Sequence, residues 1–131
     1  MSHHRETVTA AGAPDAVGPY SHAVKAGGLL FISGQIPLDP ESGELVGDTP
    51  PEQARRCLEN LAAIAEEGGC TLAEDAVKLT VFLTDIGAFA DVNEVYAEFF
   101  NDQPPARVAY AVAALPKGAQ VEIDAILALP D

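Results

Sequence analysis

The sequence has no apolar stretch long enough to cross a membrane. Its longest apolar run, around Gly27 to Ile32, is far shorter than the ~20 residues that a membrane-spanning helix needs. Residues Met1 to Ala10 also lack the apolar centre of a secretory signal peptide. We therefore expect a soluble protein that does not associate with a membrane and stays in the cytoplasm.

Cysteine is scarce as well. Cys57 and Cys70 are too few for a disulfide scaffold and lack C-x-x-C spacing, so zinc binding and redox chemistry have little support. The three histidines, His3, His4 and His22, form no metal-ligating pattern. We expect two reduced, mostly buried thiols and no bound metal.

Basic residues are the third shortage. Seven Lys and Arg stand against 20 Asp and Glu, which leaves a formal net charge of -13. Nucleic-acid binding draws its affinity from Lys and Arg that neutralise phosphates, so a nucleic-acid partner is disfavoured. The acidic surplus suits a halophile with a salt-rich cytoplasm, where dissolved ions screen the repulsion between carboxylates.

The length and apolar content of the chain fit one folded domain. A chain of 131 residues with 48% hydrophobic residues buries about two thirds of its unfolded surface on folding. No room remains for a second domain, so we interpret residues 1–131 as a single domain.

Two segments show the periodicity of amphipathic helices. The first begins at Thr49, where Thr49 and Glu52 form a capping box and Pro50 takes the first helical position. Apolar residues then recur at spacings of three and four until Gly68-Gly69, which end the helix. The second helix contains the apolar positions from Phe89 to Phe99.

Five further segments have the composition and alternation of strands. They are His22 to Ala26, Leu29 to Ser33, Ala76 to Thr84, Ala106 to Ala113, and Val121 to Leu129. Gly27-Gly28 fits a two-residue hairpin turn between the first two strands. The element order predicts an α+β domain, in which both helices cover one face of a mixed sheet.

Alternation along the last two strands predicts which residues face the helices. In the last strand the apolar face holds Val121, Ile123, Ala125 and Leu127, which leaves Glu122 and Asp124 on the other face. In the preceding strand we assign the small-residue side to the uncovered face; its members are Arg107, Ala109, Ala111 and Ala113. Other copies of the chain, arranged in a closed ring, would cover that face.

Two charged residues in these strands are candidates for chemistry. Arg107 stands among small side chains, with room for the bidentate capture of a carboxylate, although an ion pair or an exposed edge charge is the alternative. Glu122 is either a solvated strand residue or, if it is buried at a subunit boundary, a group that holds water or moves a proton.

Four segments together resemble the signature of the Rid (YjgF) family, over about Ala13 to Ala128. They are Gly18-Pro19-Tyr20, Ser33-Gly34-Gln35-Ile36-Pro37, Pro105-Ala106-Arg107 and Val121-Glu122-Ile123. The resemblance implies a chorismate-mutase-like homotrimer with active-site clefts between subunits. It also implies hydrolysis of imino acids such as 2-iminobutanoate and 2-iminopropanoate to 2-oxo acids and ammonia, without a cofactor.

The resemblance also implies roles for single residues. Arg107 would bind the substrate carboxylate, Glu122 would position or activate water, and the backbone carbonyl of Ala109 would accept a hydrogen bond. The remaining pocket residues would line the cleft, some from the adjacent chain: Tyr20, Ser33, Gly34 and Phe89.

One departure from the family pattern follows Arg107. Val108-Ala109 replaces the Ser-Cys that often stands there, so catalysis in this chain would have to proceed without that thiol. Two alternatives to imine hydrolysis stay open. One is a non-catalytic regulator that binds a small metabolite in the same cleft, and the other is an endoribonuclease, which the acidic charge disfavours.

The hypothesis of a salt-rich cytoplasm predicts higher stability in molar KCl than in dilute buffer, because ions screen the repulsion between carboxylates. Thermal unfolding followed by circular dichroism in the two solutions measures the difference. Equal unfolding midpoints would contradict the hypothesis.

Overall fold

The computed structural model describes residues 4–100 and 102–131; His3 lies outside them. In these ranges the strands are β1 Glu6–Val8, β2 Ala23–Ala26, β3 Leu29–Gln35, β4 Ala76–Leu83, β5 Ala106–Ala111 and β6 Val121–Ala128. The helices are α1 Pro50–Glu67, α2 Leu72–Asp75 and α3 Phe89–Phe99. Both long predicted helices and all five predicted strands are confirmed, whereas the short β1 and α2 were not predicted.

Helix α1 begins and ends at the predicted signals. The Thr49 hydroxyl accepts the Glu52 N–H at 3.4 Å, and Glu52 Oε1 accepts the Thr49 N–H at 3.2 Å, which completes the capping box. At the other end the Gly68 N–H bonds to the Ile64 carbonyl at 3.0 Å, and Gly69 adopts a φ of +86° that favours glycine.

The strands form one mixed sheet in the order β1-β2-β3-β6-β4-β5. Only the β4–β5 pair is parallel; the other neighbours run antiparallel. Gly27 and Gly28 join β2 to β3 with φ angles of +59° and +80°, as the hairpin turn requires. The predicted α+β class with a mixed sheet is therefore confirmed.

The core lies between α1, α3 and one face of the sheet. From β4, Leu79, Val81 and Leu83 are buried there. From β6 the buried residues are those predicted: Val121, Ile123, Ala125 and Leu127. Cys57 of α1 and Cys70 are also buried, and neither forms a disulfide, which confirms the interpretation of both as free thiols.

The prediction that Arg107 and Ala109 of β5 lie on the uncovered face of the sheet was wrong. Arg107 pairs with Leu79 and Ala109 pairs with Val81, so both residues share the helix-covered side of the sheet. The other face of β5 carries Val108 and Tyr110. Side-chain size indicated the opposite assignment. However, β5 is an edge strand that is partly exposed on both faces, and there the size of a side chain does not indicate whether it is buried.

The uncovered face of the sheet carries large apolar side chains. Tyr110 is 53% exposed and stacks on Phe82 with 6.3 Å between the ring centroids, and Phe31 is 41% exposed. Glu122 and Asp124 lie on this same face, because they pair with Phe82 and Thr80 of β4. The single chain thus leaves an aromatic and acidic surface without a covering layer.

Among the described residues, no helix combines the length and the apolarity that a membrane span requires.

Candidate active site

A surface pocket on the uncovered side of the sheet brings together four of the predicted site residues. It has a volume of about 320 Å³ and is lined by Val17, Tyr20, Ser33, Gly34, Pro116 and Glu122. Val17 and Pro116 were not among the predicted site residues, since an isolated apolar residue in a loop has no sequence signal of its own.

Glu122 lies against the backbone of Gly34. A β-carbon at residue 34 would collide with Glu122 Oε2 and lie 3.0 Å from its Cδ, so glycine makes room for the carboxylate. Burial raises the pKa of Glu122, and the negative charge of Asp124 raises it further. Glu122 therefore keeps a proton to higher pH than an ordinary glutamate, as a group that exchanges protons with a substrate requires.

The other polar groups of this pocket are held by local hydrogen bonds. The Ser33 hydroxyl donates to the Ser21 carbonyl at 2.6 Å, so its hydrogen is already engaged. The Tyr20 hydroxyl accepts the Val17 N–H at 3.1 Å, which closes a short loop at the pocket rim. Ser33 and Tyr20 consequently shape the walls of the pocket, and the Tyr20 hydroxyl keeps its own hydrogen for a ligand.

Arg107 lies against α3 instead. Its Cζ is 4.9 Å from the centroid of the Phe89 ring and 4.8 Å from that of the Tyr96 ring. Its Nη1 donates to Asn93 Oδ1 at 2.7 Å. Phe89, Asn93 and Tyr96 follow one another at spacings of four and three, so they share one face of the helix.

This arrangement orients the guanidinium without neutralising it. Asn93 is uncharged, and within the described residues Arg107 has no ion pair and no other hydrogen bond. Most of its five N–H donors and its full positive charge are therefore available to an anion, and a planar carboxylate matches that fork. The sequence motifs did not single out Asn93, although it follows Phe89 by four residues in the predicted helix and therefore shares its face.

The predicted residues do not all meet within one chain. Arg107 and Phe89 lie on the helix-covered side of the sheet, whereas Tyr20, Ser33, Gly34 and Glu122 line the pocket on the other side. Ala109 packs its methyl group against the core beside β4. The roles assigned to these residues stay predictions.

No group of three or more His, Cys, Asp or Glu side chains that could hold a metal ion occurs in residues 4–100 and 102–131.

Comparison with known proteins identifies the family. Residues 10–129 match the family described as Endoribonuclease L-PSP, the YjgF/Rid family. RutC family protein y4sK of Sinorhizobium fredii is 54% identical over 95% of this chain and 98% of its own length. The human 2-iminobutanoate/2-iminopropanoate deaminase is 47% identical over 93% of this chain and 88% of its own.

A solved structure agrees with this result. RidA from an Antarctic Psychrobacter species is 46% identical, covers 95% of this chain and 99% of its own, and superposes with a TM-score of 0.90. The chain therefore belongs to the Rid (YjgF) family, as its sequence motifs indicated. Relatives named as imine deaminases place that activity within the family.

Replacing Gly34 by alanine tests the contact with Glu122. Because the clashing carboxylate ends a flexible side chain, we expect it to swing outward, at a cost toward the low end of the ~1–3 kcal/mol that overpacking of a rigid core causes. The better-solvated carboxylate should then titrate at lower pH than in the parent protein. Carboxyl-carbon NMR measures the titration of Glu122.

Gly12→Ala is the matched control, since a β-carbon there meets only Ala63 Cβ at an ordinary 3.7 Å. An unchanged Glu122 titration in Gly34→Ala would mean that the contact does not hold the carboxylate.

Proposed function

We propose that this chain hydrolyses reactive 2-imino acids and their enamine forms, such as 2-iminobutanoate and 2-iminopropanoate, to 2-oxo acids and ammonia. The observation that carries the proposal is the Arg107 guanidinium, oriented by Asn93 yet left without a counter-charge in the described chain. A small planar carboxylate is the ligand that this group suits. The deaminase name of relatives about 47% identical supports the same reaction.

The proposed reaction needs water and proton transfer only. A protonated imine is electrophilic at carbon, so water adds there while a carboxylate accepts one of its protons. The resulting carbinolamine takes that proton on nitrogen. Its C–N bond then breaks to release ammonia, while its hydroxyl gives its proton to the carboxylate and becomes the C=O group; that last proton leaves with ammonia as ammonium. Glu122, with its raised pKa, is suited to accept and return the proton.

The other residues of the proposed site position the substrate and the attacking water. Arg107 holds the substrate carboxylate, and the backbone carbonyl of Ala109 accepts a hydrogen bond from the attacking water or the imine nitrogen. Tyr20, Ser33, Gly34 and Phe89 line the cleft. Holding the imine beside an oriented water supplies proximity and charge stabilisation, with no covalent intermediate and no cofactor.

Arg107 and Glu122 can act on one substrate only if two copies of the chain meet. They lie on opposite sides of the sheet, so we propose a homotrimer in which Arg107 of one subunit approaches the Glu122 pocket of the next. The exposed aromatic side chains of the uncovered face, Phe31 and Tyr110, suit burial in such an assembly. We place this trimer in the cytoplasm.

The two alternatives are separable by chemistry. An endoribonuclease is favoured by the description of the matching family, whereas a net charge of -13 opposes the approach of RNA. A regulator that binds a metabolite would use the same Arg107 without turnover.

The first test is Arg107→Ala. Removing the carboxylate partner should lower kcat/KM for imine hydrolysis about 100-fold or more, the range found when a charge pair loses one member. The assay generates 2-iminobutanoate in situ and follows its loss together with the release of 2-oxobutanoate. Arg55→Ala removes an exposed arginine that pairs with Glu98, and should leave the rate unchanged.

A folded parent protein that gives no acceleration would refute the hydrolase proposal. Binding of 2-oxobutanoate without turnover would then support the regulator. Cleavage of single-stranded RNA that Arg107→Ala abolishes would support the nuclease.

A mixing experiment tests whether subunits share the site. Arg107→Ala and Glu122→Gln should each be inactive alone. After unfolding and refolding together, about a quarter of the clefts should combine an intact Arg107 with an intact Glu122 and recover activity. No recovery, with mixed trimers confirmed by mass spectrometry, would place both residues of each site in one chain.

A further inference from the structure

His22 is a buried, polar residue that the proposed reaction does not use. It precedes β2 and is 5% exposed. Its Nδ1 lies 3.0 Å from the Ala10 N–H, and its Nε2 lies 2.8 Å from the Pro14 carbonyl oxygen. Since an N–H group only donates and a carbonyl only accepts, the ring is neutral, with its hydrogen on Nε2.

These two bonds connect the sheet to a wall of the Glu122 pocket. We define the pocket wall as residues 10–20, which include Val17 and Tyr20 of the pocket lining. The other hydrogen bonds described for the pocket wall are internal to it, including Ala13 N–H to Ala10 and Tyr20 N–H to Gly18. The side chains of Ala10 and Ala13 are buried in the core. His22 contacts the backbone beside them, through the Ala10 N–H and the Pro14 carbonyl.

A small cavity links His22 to the pocket. It measures about 10 Å³ and is lined by residues of the pocket wall and of β3, among them His22, Tyr20 and Gly34. Val17, Tyr20 and Gly34 line both this cavity and the Glu122 pocket. The pocket wall therefore borders both the cavity that His22 lines and the Glu122 pocket.

We propose that His22 is a positioning residue for the active site: its neutral ring holds the pocket wall in place, and its protonation releases the wall. An imidazolium carries hydrogen on both nitrogens, so Nδ1–H would face the Ala10 N–H, and two donors would replace a hydrogen bond. Imidazole side chains change charge between about pH 5 and 8. The pocket wall in its observed position accepts only the neutral ring, so acid favours displacement of the wall from that position.

Few other titratable groups face His22. On the pocket wall, Asp15 and Tyr20 line the same cavity, and Asp15 is exposed. The residues that line it from β3 and the following loop are Gly34, Gln35, Ile36 and Leu38, none of which ionises. Glu122 titrates in the adjoining pocket, so an experiment must separate its contribution from that of His22.

His22→Gln provides that separation. A glutamine amide carries an acceptor oxygen and a donor nitrogen on the same carbon, so it can bond to Ala10 and Pro14 without changing charge. Asp15, Tyr20 and Glu122 are present in both proteins, so any difference between their pH profiles belongs to residue 22.

Hydrogen–deuterium exchange measures the pocket wall without reference to any reaction. After correction for intrinsic rates, peptides of residues 10–20 in the parent protein should exchange about fivefold faster at pH 5.5 than at pH 7.5, the ratio that one hydrogen bond represents. His22→Gln should show no such change, and peptides of α1 should stay constant in both proteins. Equal pH dependence in the two proteins, or none in the parent, would overturn the proposal.

NMR of the parent protein alone provides a second readout if His22→Gln does not fold. The Ala10 amide proton should lose its hydrogen-bonded chemical shift between pH 7.5 and 5.5, and an Ala10 signal that stays constant over that range would contradict release.

The kinetic consequence rests on the proposed function. For the parent, KM for 2-iminobutanoate should rise about fivefold between pH 7.5 and 5.5 relative to His22→Gln, with a smaller change in kcat. Absence of hydrolysis in the parent would refute the hydrolase and leave the exchange result to decide the role of His22. Hydrolysis with identical pH profiles in both proteins would refute only the role of His22.

Discussion

β4 lies between β6 and β5, and its register with both strands determines on which side of the sheet each charged residue lies. Leu79 pairs with Arg107, whereas Phe82 pairs with Glu122. Because side chains alternate along a strand, the odd separation of Leu79 and Phe82 places the two charged residues on opposite faces. A slip of one residue in either pairing would bring them to one face. In the β4–β6 pairing the slip would also expose a row of core side chains, so burial of the core fixes the face on which Glu122 lies.

Glu122 and Arg107 have opposite electrostatic surroundings. Glu122 is half-buried beside another carboxylate, which makes its ionised form costly and raises its pKa. Arg107 receives aromatic faces and a neutral amide oxygen, which hold its charge without cancelling it. Arg55 and Arg56 each pair with a glutamate, whereas Arg107 has no ion pair within the described residues. In the proposed site between subunits, a carboxyl group that retains its proton to higher pH would face a cation without a counter-charge.

The predictable parts of the fold are those with local causes. The capping box at Thr49 and the glycine end of α1 act within a few residues, and the alternation of β6 follows from burial on one face only. The face assignment in β5 was wrong because this edge strand is half-exposed on both faces. Helix α2 was not predicted because a single helical turn is too short to show periodicity. The motif residues Tyr20, Ser33, Gly34 and Glu122 line one pocket. Their separation from Arg107 depends on strand register, which a single sequence does not encode locally.

Val108-Ala109 bears on whether a thiol takes part in the proposed chemistry. Ala109 shares the face of Arg107, two residues along β5, so a cysteine there would lie beside the Arg107 guanidinium. The chain has only a methyl group at that place. Its own thiols are poor substitutes: Cys57 is fully buried on α1, where desolvation, followed by the charge of Glu122, raises its pKa far above the usual value, and burial also raises the pKa of Cys70. The nucleophilic form of cysteine is the thiolate, and a raised pKa keeps the thiol protonated. Imine hydrolysis by this chain would therefore rely on water, held by backbone and carboxyl groups, as the attacking species.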